Sequence, residues 1–94
     1  MSRASYVMDE AITVSTSSIP LTTIPTSCSE AVVECQVAAV RYALDGGAPT
    51  ASVGHVLEVG DVLTLDSADQ VTKFRAIRRD GADATLYVSY GRGD

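Results

Sequence analysis

Residues 30–36, Glu-Ala-Val-Val-Glu-Cys-Gln, place Ala31, Val33 and Cys35 on one parity and Glu30, Glu34 and Gln36 on the other. This is the period-two signature of a half-buried strand, interrupted only by Val32 on the polar side. Helix is the competing reading, because Glu, Ala and Gln favour it. From Val40 the apolar parity shifts to Val40, Tyr42 and Leu44, which predicts a bulge or tight turn at 37–39 and a hairpin there. Asp45-Gly46-Gly47-Ala48-Pro49-Thr50 then stops the run, since Asp-Gly and Gly-Gly reach positive φ and proline blocks a ladder. Residues 55–59 and 62–66 read as two short β segments around Gly60-Asp61. Residues 71–79, with Val71, Thr72, Phe74 and Ile77, read as another, ended by Asp80-Gly81. The cleanest alternation runs from Ala84 to Tyr90, where Ala84, Leu86, Val88 and Tyr90 oppose Thr85, Tyr87 and Ser89.

Residues 13–27 follow a different rule. They are rich in Ser and Thr, uncharged and broken by Pro20 and Pro25, which excludes a long helix and suits extended structure. The expected organisation is an extended arm over 1–27 and a single domain over 28–94. Ile12, Val14, Ile19, Leu21 and Ile24 would lay the arm along the domain or along a neighbouring subunit. Six or seven short strands separated by turn signals, with no convincing amphipathic helix, predict an all-β fold. The expected form is a small antiparallel β-sandwich, immunoglobulin-like or jelly-roll, with a small barrel as the other solution. The expected core is Val33, Cys35, Val40, Tyr42, Leu44, Leu57, Leu63, Leu65, Phe74, Ile77, Leu86 and Val88.

Composition narrows the function. The 94 residues suffice for one core but not two, and 46% hydrophobic against 20% charged residues is ordinary globular usage. A net charge of −5 opposes phosphate-backbone binding, so nucleic acid is not expected as a partner, and Arg75, Arg78 and Arg79 read as a solvated face. No stretch has the apolar length of a membrane span, and residues 1–10 lack the apolar run of a signal peptide. Synthesis and residence in the cytoplasm are the expectation, unless the product is packaged into something that leaves.

The residue types that carry chemistry are sparse. His55 is the only histidine, with no Gly-x-Ser-x-Gly beside it, and reads as a turn or packing residue rather than part of a triad. Cys28 and Cys35 are too far apart for a disulfide without an intervening turn, roughly 23 Å on an extended chain. They also lack the paired spacing of zinc ligands, so both are expected reduced, with Cys35 a small buried hydrophobe. Asp61, Asp66 and Asp69 lack the register of a calcium loop, and no glycine-rich loop leads into a helix to hold a nucleotide. The expected catalytic, metal and cofactor sites are therefore none. Without Trp, and with one Phe and four Tyr, the chain is thinly supplied for a sugar platform; Tyr87 is the ring best placed to face outward, followed by Tyr6. Arg92-Gly93-Asp94 matches the integrin tripeptide, and three residues in a Gly-rich tail match by chance.

Val40-Arg-Tyr, the Asp45-Gly-Gly-Ala-Pro-Thr50 turn, Gly54-His-Val-Leu57, Gly60-Asp61, Phe74-Arg-Ala-Ile77 and the closing Ala84–Tyr90 strand together resemble a family of small tailed-bacteriophage virion proteins. The resemblance spans about residues 28–90 and leaves out the preceding segment. It implies a non-enzymatic virion component: a capsid decoration or cement protein, or a head-tail or tail adaptor. Its expected partners are major capsid, connector or tail proteins and further copies of itself, and its expected location is the virion. The Tyr-x-x-Asp-Gly-x-x-Pro-Thr stretch is also similar, more loosely, to immunoglobulin-like accessory domains of polysaccharide-degrading enzymes. That likeness implies a glycan- or receptor-binding module on a phage fibre or bacterial surface. Such modules belong to much longer chains, whereas this one, beginning at Met1, is expected to be complete.

Overall fold

The computed structural model describes residues 5–92 and consists of eight strands and one short helix. The strands are β1 (Ser5–Val14), β2 (Ile19–Pro20), β3 (Glu30–Gln36), β4 (Val40–Ala43), β5 (His55–Leu57), β6 (Val62–Leu65), β7 (Arg75–Arg78) and β8 (Ala84–Arg92). Helix α1 (Ala68–Lys73) lies between β6 and β7. Two four-stranded antiparallel sheets have the orders β1-β8-β3-β6 and β2-β7-β4-β5.

The pairs β1·β8, β2·β7, β3·β6 and β4·β5 are the rungs of one long folded ribbon. Rolling it up adds the contacts β8·β3 and β7·β4 that complete each sheet. That strand order is the jelly roll. An immunoglobulin sandwich, the other expected topology, sets its first strand beside its second; here β1 lies beside β8, the last strand.

Alternation drives the packing. In β3 every second residue, Ala31, Val33 and Cys35, is buried, and in β8 the buried set is Ala84, Leu86, Val88 and Tyr90. Phe74, Leu65, Val40, Val71 and Leu57 join them from the other elements. Each large apolar side chain so buried contributes about 1.5–3 kcal/mol. Of the expected core, Tyr42, Leu44 and Leu63 are only partly buried against this cluster. Ile77 lies outside it, because Phe74 and Ala76 take the inward positions and leave Ile77 on the outer parity, paired with Arg41.

Several local expectations are revised. Residues 5–14 and 19–20, read as an arm, are strands of the two sheets, and Ile12, Val14 and Leu21 are buried core residues. Residues 1–4 of that segment lie outside the described residues. The turn at 37–39 is present, but it joins no hairpin: β3 and β4 belong to different sheets, and the same holds for β5 and β6 around Gly60-Asp61. The first is a three-residue γ-turn in which Ala38 N–H donates to the Gln36 carbonyl at 2.9 Å, with Val37 held at φ +75°. The 44–54 connection does close a hairpin, between β4 and β5. Asp45 accepts from Gly47 N–H at 2.9 Å, while Arg41 donates to the carbonyls of Ala51 and Gly54.

Helix α1 replaces the first part of the strand expected over 71–79. Ser67 caps it by accepting from Gln70 N–H at 3.1 Å, Asp69 and Lys73 suit its two ends, and Val71 anchors it to the core. Six residues are too few to display a helical period, which is why the alternation of 71–77 read as strand.

Candidate binding surface

The outer face of the β1-β8-β3-β6 sheet is built in rows set by strand register. Tyr6, Gly91 and Glu30 form one row; Asp9, Ser89, Val32 and Thr64 the next; Ala11, Tyr87, Glu34 and Val62 the third. In sequence Tyr6 and Met8 share a parity, and Met8 packs against the core. A β-bulge between them leaves Val7 as the extra residue and turns Tyr6 to the outer face.

Gly91 makes room for that ring. A Cβ there would meet two carbons of the Tyr6 ring and Cγ of Glu30, each at 3.2 Å. Tyr6 therefore lies across the glycine, and its hydroxyl donates to Glu30 Oε2 at 2.9 Å. This hydrogen bond, then desolvation and the Glu30 charge, raises the Tyr6 phenol pKa. Two rows along, Tyr87 reaches back one row, where its hydroxyl donates to Asp9 Oδ2 at 3.4 Å. The row between the two tyrosines carries the small side chains Ser89 and Val32, and an open groove of about 360 Å³ there is lined by Tyr6, Asp9, Val32 and Ser89, with Tyr87 in the row beyond. Tyr6 and Tyr87 are 52% and 42% exposed.

A second exposed feature lies at one end of the sandwich. Cys35 N–H donates to the Asp61 carbonyl and Gly60 N–H to the Cys35 carbonyl, which ties the end of β3 to the β5–β6 connection. Around this junction Val37, Val59 and Val62 are 73%, 56% and 58% exposed. The adjoining edge strand β6, Val-Leu-Thr-Leu, carries no charge, proline or bulge. The opposite edges are guarded by the β1 bulge with Asp9 and by Pro20 in β2.

A third polar cluster fastens the chain between β2 and β3. Glu10, on the inward parity of β1, accepts from the Tyr90 hydroxyl, from Thr22 Oγ1 at 3.3 Å and from Thr23 N–H at 3.2 Å. Burial first, and the bond to Glu10 second, push the Tyr90 phenol pKa strongly upward.

The other sequence-named residues fall elsewhere. His55 is exposed on β5 and packs on Tyr42, with ring centroids 5.2 Å apart, and Tyr42 in turn stacks on Phe74. Cys28 and Cys35 are buried free thiols donating to the carbonyls of Glu30 and Ala38, and burial raises the Cys35 pKa. The arginines do not act as a cluster: Arg75 binds Ser18, Arg78 binds Asp83, and Arg79 bridges Glu58 and Asp80. Asp61 caps the turn by accepting from Glu58 N–H, and Asp69 pairs with Lys73, so both carboxylates serve local structure. Among the described residues no three His, Cys, Asp or Glu side chains group as metal ligands. No described helix is long and apolar enough to cross a membrane. Gly93 and Asp94 of the Arg-Gly-Asp tripeptide lie outside the described residues.

What sequence reading missed is the pairing of Tyr6 with Tyr87 on one face. The bulge that creates it leaves no mark in the hydrophobic pattern, although Gly91 opposite an aromatic residue is a signal once β1 and β8 are paired. The fold places the chain in the class of eight-stranded jelly-roll sandwiches. No protein-family model, curated protein or solved structure matches the chain.

Proposed function

We propose that this chain is a non-enzymatic structural component of a bacteriophage virion, a capsid decoration or head-tail or tail adaptor subunit held by contacts with other virion proteins and with its own copies. The observation that carries the reading is Val37. A β-branched residue at φ +75° is strained by about 1–3 kcal/mol. Being 73% exposed, it recovers little of that through packing within its own chain. With Val59, Val62 and the unguarded β6 edge beside it, the strained side chain has the character of a contact residue waiting for a partner surface. The resemblance over residues 28–90 supports the same class, and a compact jelly roll with an acidic surface suits a protein that must not adhere to packaged DNA.

The test is quantitative mass spectrometry of purified virions from a phage or prophage encoding this chain. The expected result is the protein at a copy number in a fixed ratio to a capsid or connector subunit, reduced at least tenfold by Val37→Asp combined with Val62→Asp. Its confinement to the soluble lysate, with virions free of it, overturns the reading.

A further inference from the structure

We propose that the groove beside Tyr6, together with Tyr87 in the row beyond its floor, is a binding site for a neutral oligosaccharide. The proposal goes beyond the assembly reading and does not depend on it. Three features of the outer sheet face select this ligand class.

The first is the spacing of the rings. Tyr6 lies over Gly91, and Tyr87 is four residues away on the same strand, which sets their strand positions about 13 Å apart at 3.3 Å per residue. A single small group cannot touch both. An extended ligand with an apolar face at intervals can, and successive pyranose rings present C–H faces of that kind to aromatic rings.

The second is the acceptor arrangement. Asp9 and Glu30 each accept from a tyrosine hydroxyl, which holds both carboxylates beside the groove with lone pairs to spare. Ser89 adds a hydroxyl to the floor, and Val32 gives it an apolar patch. Carboxylates fixed beside a partly apolar floor suit a ligand rich in hydroxyl donors.

The third is charge. Asp9, Glu30 and Glu34 share this face, and no Lys or Arg occupies the three rows. Uronic, sialylated or sulfated sugars would meet uncompensated repulsion, so the ligand is neutral. A lysine- or arginine-bearing peptide is the competing ligand of opposite charge. Its best recognition by tyrosines needs a ring face within about 6 Å of the cation and close to its carboxylate. Here the phenol edges, through their hydroxyls, are what meet Asp9 and Glu30.

The experiment is titration calorimetry on the full chain with maltohexaose, cellohexaose and N-acetylchitohexaose. A sialylated hexasaccharide and a Lys-Gly-Lys-Gly-Lys peptide serve as comparisons, each at low and high salt. At least one neutral probe is expected to bind with a dissociation constant of about 1 mM or tighter, unchanged within twofold between 20 mM and 500 mM NaCl. Tyr6→Ala and Tyr87→Ala are each expected to weaken it tenfold or more. Ser89→Tyr, which fills the floor from a half-buried position on the outer face and should leave the thermal midpoint near the parent value, is expected to abolish it. The proposal is overturned by binding of the lysine peptide alone with loss at high salt, by silence of all three neutral probes, or by affinity that survives both tyrosine substitutions. A chain that binds sugar yet is absent from virions would refute the assembly reading while leaving this one intact, and the reverse result would do the opposite.

Discussion

Replacing Tyr90 with Phe removes a single oxygen from a fully buried ring and leaves its apolar packing in place. The oxygen is one of three donors to Glu10, the others being Thr22 Oγ1 and Thr23 N–H. A hydrogen bond to a charged group contributes about 1.5–3 kcal/mol, so the substitution should cost about 2 kcal/mol. That is a large share of the roughly 5–15 kcal/mol that separates folded from unfolded domains. For a domain of this size each kcal/mol moves the thermal midpoint by about 4–8 °C, giving an expected fall of about 8–16 °C. Differential scanning calorimetry at pH 7, with urea unfolding to check that the m-value is unchanged, reads it. Glu10→Gln keeps an acceptor oxygen and should cost less. A cycle of Tyr90→Phe with Glu10→Ala should give a coupling of about 1–2 kcal/mol, because each single change removes the same bond. A Tyr90→Phe protein within about 0.5 kcal/mol of the parent, together with additive double-mutant behaviour, would refute the claim that this phenol anchors the Glu10 carboxylate that holds the β2–β3 connection.

Three further outcomes follow from the same structure. The neutral Tyr90 phenol is favoured in the fold, so stability should be complete below the ordinary tyrosine value of about 10. Above it, stability should fall by up to about 1.4 kcal/mol per pH unit until the raised folded value is passed, a slope that alkaline calorimetry should find reduced in Tyr90→Phe, the remainder belonging to Tyr6. Val37→Gly removes a strained, exposed β-branched residue and should raise stability by about 1 kcal/mol in urea unfolding, while weakening the proposed virion contact; a loss of stability would show that the φ +75° conformation is not strained. Leu86→Ala, in the middle of the central strand, should cost about 2–5 kcal/mol, whereas Ile77→Ala, outside the core cluster, should cost less than about 1.5 kcal/mol by the same denaturant assay.

The all-β class and much of the core were legible because β3 and β8 are buried on one face only and keep strict alternation. Asp45 to Thr50 was legible because its turn chemistry is local. β1 escaped notice because Glu10 occupies an inward position, breaking the Met8, Ile12, Val14 stripe with a carboxylate whose partners lie 12 to 80 residues away. Helix α1 escaped because a cap and one buried valine suffice for a single-turn element. Whether a turn stays within a sheet or crosses to the other depends on which strands lie alongside, so 37–39 and 60–61 could be located as turns while the first was read as a hairpin and neither as a crossing. The same holds for the groove: Tyr6 and Tyr87 stood out singly as exposed aromatics, yet their shared face depends on the bulge at Val7 and the register of β1 on β8.

The rolled-ribbon order has a consequence for biosynthesis. β8 is the last of the eight strands to leave the ribosome, yet it pairs with both β1 and β3 inside its sheet. Until it emerges, β1 has no sheet partner and the inner faces of β1 and β3 lack the strand that joins them, so their apolar residues stay uncovered until 84–92 has been made. Because contacts of such long sequence separation form late and slowly, the sandwich closes only once β8 is available. A stalled or nicked chain lacking 84–92 should therefore yield material for proteolysis rather than a partial domain.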